Sequence, residues 1–92
     1  MRIAVIGSGI AGLTVAAGLA QRRQHGVDFL LLEANHRLGG HTHTVDVEED
    51  GRTLAVDTGF IVFNDWTYPN FIALLGELGA TWQWSNMSFS LR

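Results

Sequence analysis

Three glycines constrain the fold of this chain more than any other feature, because they separate an apolar strand-like run from an apolar helix-like run. Residues 3–6 carry no charge, which is typical of a parallel strand covered on both faces. Gly7 allows a sharp turn after this strand. Gly9 leaves room for a ligand to approach the backbone, and Gly12 permits close packing of a helix on the sheet.

The run that follows predicts a helix beginning near Ile10. The helix interior is apolar and small at Leu13, 15–17, Leu19 and Ala20. The cations of segment 21–24 are suited to a last helical turn, and Gly26 is suited to a left-handed stop. The free N–H groups and partial positive charge at the start of such a helix attract an anion such as a pyrophosphate. The predicted phosphate-binding residues are Gly7, Ser8, Gly9, Ile10, Ala11 and Gly12.

A second apolar run, residues 27–32, predicts a second buried strand that ends at Glu33. Glu33 follows Gly12 by 21 residues, a spacing at which a carboxylate can accept hydrogen bonds from the ribose hydroxyls of adenosine. The same charge would repel a 2′-phosphate, so NADP is disfavoured against NAD or FAD. A glycine motif alone is a weak signal, but here its strand, helix, second strand and acid are all present.

The segment after Glu33 distinguishes between the two dinucleotides. It reads Ala34-Asn35-His36-Arg37-Leu38-Gly39-Gly40-His41-Thr42 and resembles the flavin-dependent amine oxidase superfamily, in which an R-x-G-G sequence follows the ribose-binding acid. The resemblance implies that the glycine pair passes close to the pyrophosphate and ribityl chain of FAD. It adds six candidate cofactor-binding residues: Ala34, Arg37, Gly39, Gly40, His41 and Thr42.

The resemblance continues through most of the chain. Segment 53–59 is similar to the family's strand that ends in D-x-G, and segment 68–79 is similar to the helix that follows. The resemblance implies that Gly59 approaches the flavin, although a simple turn glycine explains this position equally well. Asn35 and His41 stand where monoamine oxidases usually carry arginine, a difference that bears on amine oxidation more than on FAD binding.

The predicted fold class is α/β, the N-terminal part of a Rossmann-like FAD-binding domain. The βαβ unit covers residues 1–33, and the glycine-pair segment covers residues 34–42. An alternating pattern around an Asp-Gly turn predicts a β-hairpin over 43–57. A flavin-side loop and a helix occupy 58–79, with Thr67 as N-cap, and the alternating tail predicts a strand over 81–91.

Composition narrows the possible functions. The chain has six basic residues, all arginine, against nine acidic residues, and this balance gives no basic stripe for nucleic acid. Without cysteine it offers no thiolate ligands, and His41 and His43 make a weak metal pair, so no metal site is predicted. No apolar run approaches the ~18 residues of a membrane span, and a cytoplasmic location is expected.

The length predicts a partial domain. At 92 residues the chain is much shorter than such flavoproteins, so we expect its partners to include the remainder of its own polypeptide and a small-molecule substrate. An uncovered edge of the first strand predicts self-association. The expected function is the FAD-binding portion of an amine-oxidase-like oxidoreductase, inactive as 92 residues alone and without a catalytic residue of its own. The alternatives are an NAD-binding dehydrogenase module and a non-catalytic adenine-dinucleotide-binding fragment.

Overall fold

The computed structural model describes residues 1–92, which divide into two compact units, residues 1–60 and 61–92. The elements of the first unit are β1 (Arg2–Ile6), α1 (Ile10–Ala20), a short 3-10 turn (Arg23–His25), β2 (Asp28–Leu32), β3 (His43–Glu49) and β4 (Arg52–Gly59). The second unit contains one helix, α2 (Pro69–Leu78).

The first three main elements form a βαβ unit. Strands β1 and β2 pair in parallel, from Arg2 opposite Asp28 to Ile6 opposite Leu32. Helix α1 connects them and packs on both strands. The parallel pair with its crossover helix confirms the α/β, Rossmann-like fold class.

The prediction that both strands are covered on two faces is wrong for this chain. Val5 is buried and faces α1, since its Cγ1 lies 3.6 Å from the position of a Cβ on Gly12. On the opposite face, Ile6, Leu30 and Leu32 are 83%, 60% and 46% exposed. Successive side chains of a strand point to opposite faces, and the single helix α1 covers only one of them.

The arginines predicted for the last turn of the first helix lie beyond it. Helix α1 ends at Ala20, and Arg23 belongs to the 3-10 turn. There its guanidinium carbon stands 5.2 Å from the ring centre of Phe29, a cation–π contact that covers the strand side chain. The turn ends at Gly26 in the left-handed conformation that the sequence suggested.

Strands β3 and β4 form an antiparallel hairpin around Asp50 and Gly51. Both turn residues have positive φ, 50° and 74°, as a two-residue type I′ turn requires. The hairpin predicted over 43–57 extends to Gly59, and the register shifts between His43 and Thr44. Thr58 stabilises this end of the hairpin by donating its hydroxyl to the His43 carbonyl at 2.9 Å.

In the second unit α2 begins at Pro69 and is followed by Gly79 in the left-handed conformation. Thr67 is not its N-cap, as the sequence had predicted. The N-cap is Tyr68, and the Thr67 hydroxyl donates to the side-chain oxygen of Asn64 at 2.7 Å. That oxygen also accepts the backbone N–H groups of Trp66 and Thr67, at 3.2 and 2.7 Å.

The strand predicted over 81–91 does not form, and residues 80–92 have no regular secondary structure. A strand is stable only when its N–H and C=O groups pair with a neighbour, and the sheets of this chain contain β1–β2 and β3–β4 alone. The start of the tail is held by its aromatic rings. Trp82 packs edge-on against Phe63 at 5.9 Å between centroids, whereas Phe89 is 94% exposed.

Candidate dinucleotide site

The glycine turn, residues 7–12, joins β1 to the first turn of α1. Its glycines have different neighbours. A Cβ on Gly12 would stand 1.9 Å from the Gly7 carbonyl oxygen, so this position accepts only glycine for reasons of internal packing. A Cβ on Gly9 would meet no atom of the chain within 4 Å, and Gly9 has ordinary extended dihedrals, φ −72° and ψ −177°. Nothing within the chain therefore requires glycine at position 9, whereas a ligand lying against the backbone would.

The N-terminus of α1 lies at this turn, and no side chain pairs with its free N–H groups or its partial positive charge. Gly9 is the N-cap, no side chain caps the helix, and the first turn contains no acidic residue. The first intrahelical backbone bond runs from Leu13 N–H to Gly9 C=O at 3.0 Å, so the amides of Ile10, Ala11 and Gly12 precede the ladder. Three amide donors and the positive end of the helix dipole suit a phosphate group at this end.

Glu33 stands directly after β2 and is bonded to the glycine turn. Its Oε1 accepts the Ser8 backbone N–H at 3.0 Å and the Ser8 hydroxyl, and its Oε2 accepts the Asn35 N–H at 3.0 Å. Ser8 is completely buried. These donors lower the pKa of Glu33 from 4.5 to about 2, with the Ser8 hydroxyl as the largest cause, so the carboxylate is charged throughout the physiological range.

This bonding bears on the prediction that Glu33 accepts both ribose hydroxyls. An ionised carboxylate offers about four lone-pair directions, and three are used within the chain. Oε2, with one such bond from Asn35, has more remaining capacity for a ribose hydroxyl than Oε1 has. Ser8, which the sequence assigned to the ligand, directs its side chain to Glu33.

The glycine-pair segment lies against the glycine turn. The Gly39 N–H donates to the Ser8 carbonyl at 2.8 Å, and a Cβ on Gly40 would stand 2.9 Å from the Cα of Gly9. Gly39 and Gly40 have φ of 112° and 60°, a backbone that side-chain-bearing residues rarely adopt. The structure thus brings together two glycine motifs whose contacting residues, Gly9 and Gly40, are 31 positions apart in the sequence.

Two side chains hold the shape of this segment. The Arg37 guanidinium donates to three backbone carbonyls, and the Thr42 hydroxyl donates to the Gly39 carbonyl at 2.6 Å. An open depression of about 340 Å³ borders the segment. Its lining includes three residues that the sequence did not single out as site residues, Leu38, His43 and Thr44, and three that it did, Arg37, Gly39 and Thr42.

The other predicted site residues lie around this centre. Ala34 and His41 are exposed. Gly59 packs against the chain itself, since a Cβ there would stand 1.9 Å from the His41 carbonyl oxygen. This clash explains glycine at position 59 without a ligand. No group of three or more metal-ligating side chains is placed to hold an ion.

Comparison with known proteins gives the family of this chain. The family model of the NAD(P)-binding Rossmann-like domain matches residues 5–78, so the chain belongs to that family. Flavin-containing amine oxidase A of the dog (Canis lupus familiaris) is 54% identical over 43 residues, and that of cattle (Bos taurus) is 51% identical over 43 residues. The resemblance to flavin-dependent amine oxidases inferred from the sequence is thereby confirmed.

The matched region is short in comparison with these relatives. It covers 47% of this chain and 8% of each amine oxidase. No helix of the chain is both long enough and apolar enough to cross a bilayer.

Proposed function

We propose that this chain binds FAD and forms the adenosine- and pyrophosphate-binding part of a flavin-dependent oxidoreductase that resembles amine oxidases. The observation that carries the proposal is the open space in front of Gly9. A Cβ on this glycine would meet no atom of the chain, and the residue lies between the free amides of α1 and the docked glycine pair. The similarity to flavin-containing amine oxidases supports FAD as the dinucleotide.

The residues suit the chemical groups of the cofactor. The amides of Ile10, Ala11 and Gly12 would receive the pyrophosphate, and Glu33 Oε2 would accept one hydroxyl of the adenosine ribose. Because Glu33 stays ionised, a 2′-phosphate would be repelled. Gly39 and Gly40 would allow the rest of the dinucleotide to pass close to the backbone.

In the whole protein, the bound flavin would accept a hydride equivalent from a C–N or C–C bond of a small-molecule substrate. The residues of this chain bind and orient the cofactor, and none is proposed as an acid, base or nucleophile. The rest of the site would come from the remainder of the polypeptide. A cytoplasmic location belongs to the same proposal.

A pair of glycine substitutions tests the proposal. Gly9→Ala adds a methyl group to open space, so the fold should survive, while the affinity for FAD should fall at least about tenfold because the methyl group occupies the phosphate approach. Gly12→Ala is the contrasting variant, since its methyl group overlaps the Gly7 carbonyl and should reduce stability itself. FAD titration measures the affinity and urea unfolding measures the stability, both on the full-length gene product. Unchanged FAD affinity in Gly9→Ala would contradict the proposal.

The second candidate is an NAD-binding module, which the description of the matching family favours. Extraction of the cofactor from the purified protein distinguishes the two. Flavin absorbance near one equivalent supports FAD, whereas a colourless protein that enhances NADH fluorescence supports NAD. The docked glycine pair favours FAD, because an NAD half-site has no need of a second glycine motif here.

A further inference from the structure

The Arg37 guanidinium is bonded to the backbone of its own segment. Nη1 donates to the carbonyls of Leu38 and Thr42, at 3.1 and 2.9 Å, and Nη2 donates to the Gly40 carbonyl at 2.6 Å. A planar fork of donors suits several acceptors that lie in one region, which a lysine ammonium, a compact point charge, matches less well. One guanidinium group therefore donates hydrogen bonds to three carbonyls within residues 38–42.

Segment 38–42, which Arg37 holds by these hydrogen bonds, also contacts the glycine turn. Its Gly39 N–H donates to the Ser8 carbonyl, and Gly40 lies against Gly9 so closely that a Cβ would not fit. Both glycines have positive φ, and a free glycine-containing loop would sample many other conformations. The contacts of Arg37 and of the Thr42 hydroxyl restrict the segment to the docked conformation.

We propose that Arg37 is a positioning residue: it holds segment 37–42 on the glycine turn and acts on the dinucleotide through that segment, without binding phosphate itself. This inference rests on the proposed FAD-binding function. It changes the role that the sequence suggested for Arg37, which was direct contact with the cofactor. The feature of Arg37 that matters is the geometry of its donors and not its charge alone.

Two substitutions separate geometry from charge. Arg37→Lys keeps the positive charge and loses the planar fork, whereas Arg37→Met loses both. Arg52→Met is the matched control, since Arg52 is exposed at the turn end of the hairpin and its replacement removes the same charge. FAD affinity is measured at low and high salt for the unmodified protein and the three variants, each as the full-length gene product. Amide hydrogen exchange of the ligand-free proteins is measured in parallel.

A positioning role predicts that Arg37→Lys and Arg37→Met weaken FAD binding to a similar extent, about tenfold, and that Arg52→Met changes it less than about twofold. The salt dependence should equal that of the unmodified protein, because no charge contact with phosphate is lost. The amides of Gly39 and Thr42, which donate to the Ser8 and Gly39 carbonyls, should exchange faster in both Arg37 variants. The exchange of β2 should stay unchanged, which a general loss of stability would not produce.

Three results would overturn the inference. One is wild-type FAD affinity in Arg37→Lys together with weak, less salt-dependent binding in Arg37→Met, which would indicate a direct contact between charge and phosphate. Another is unchanged exchange at Gly39 and Thr42 in both variants. The third is the absence of FAD binding by the unmodified protein, which would overturn the proposed function and this role with it. The exchange measurement needs no ligand, so it separates a failure of the positioning contact from a failure of FAD binding.

Discussion

Glu33 and Ser8 form the residue pair on which the charge of the candidate site depends. The buried Ser8 hydroxyl and the two backbone N–H groups favour the ionised carboxylate. Glu33 therefore enters any ligand complex as an anion that is already oriented. A hydrogen-bonded carboxylate loses little freedom when it accepts one more donor.

The first prediction concerns the titration of Glu33. In Ser8→Ala the pKa of Glu33 should rise from about 2 toward 4.5, because the largest cause of its depression is removed. A ¹³C NMR titration of the side-chain carboxyl group measures this change. Thr14→Val is the control, since it removes a hydroxyl that donates to the Ile10 carbonyl and should leave Glu33 as it is. An equal pKa of Glu33 in Ser8→Ala and the unmodified protein would contradict the hydrogen bond.

The second prediction gives the pH dependence of stability that follows from this group. Its folded pKa lies below its ordinary value, so the stabilisation is fully present above pH 4.5 and is lost as the pH falls through about 2. Urea unfolding across this range should show a drop in stability that is smaller in Glu33→Gln. If stability falls equally in both proteins, the loss at low pH comes from other carboxylates and not from Glu33.

The third prediction concerns discrimination between nucleotides. Glu33→Gln removes the charge that repels a 2′-phosphate, so the preference for 5′-ADP over 2′,5′-ADP should shrink several-fold. Isothermal titration with each nucleotide measures the ratio of dissociation constants. Glu77→Gln, on the surface of α2, is the control and should keep the original ratio. An unchanged ratio in Glu33→Gln would place the 2′ position away from this carboxylate.

At the scale of elements, the hairpin β3–β4 could be predicted from the sequence because its turn carries its own signal. Asp50-Gly51 sits between two alternating runs, and both residues adopt the positive φ that this pair tolerates. The end of β4 could not be predicted in the same way. Strand pairing continues past Asp57 because Thr58 and Thr44 make hydrogen bonds across the irregular register, which no local pattern encodes.

The fourth prediction compares two glycine-to-alanine changes within residues 1–60. Gly51→Ala should destabilise the unit by roughly 1–2 kcal/mol, because φ of 74° is unfavourable for a residue with a Cβ. Gly18→Ala should stabilise it by about 0.5–1 kcal/mol, since this residue lies inside α1 and an added Cβ meets only the far end of Arg22. Urea unfolding measures both, and the same sign for both changes would contradict the assigned turn or helix.

At the scale of the whole molecule, burial departs most from the sequence expectation. Val5 and Ala16 are the buried apolar residues, while the β1–β2 face opposite α1 is open. An uninterrupted apolar strand is the pattern of a sheet covered on both faces, and here one face is left to solvent. Exposed apolar surface of this kind promotes association.

The fifth prediction follows from that open face. The 92-residue chain should self-associate, and Leu30→Gln should reduce the association because Leu30 lies at the centre of the exposed strand β2. Sedimentation velocity over a range of concentrations measures the effect. Leu78→Gln, 69% exposed at the end of α2, is the control. Equal association in all three proteins would assign the contact to another surface.

The sequence by itself determined the order of the elements from β1 to α2, the glycine turn, the acid after β2 and the resemblance to flavin-dependent amine oxidases. These features are encoded within short windows, by side-chain periodicity and by residues that only certain backbone conformations accept. The tertiary structure alone decided that Gly40 rests on Gly9, that Ser8 binds Glu33, and that Arg37 binds its own backbone. Those contacts join residues that are distant in sequence or direct a side chain to the backbone of its own segment. Their energies depend on distances that no local pattern specifies.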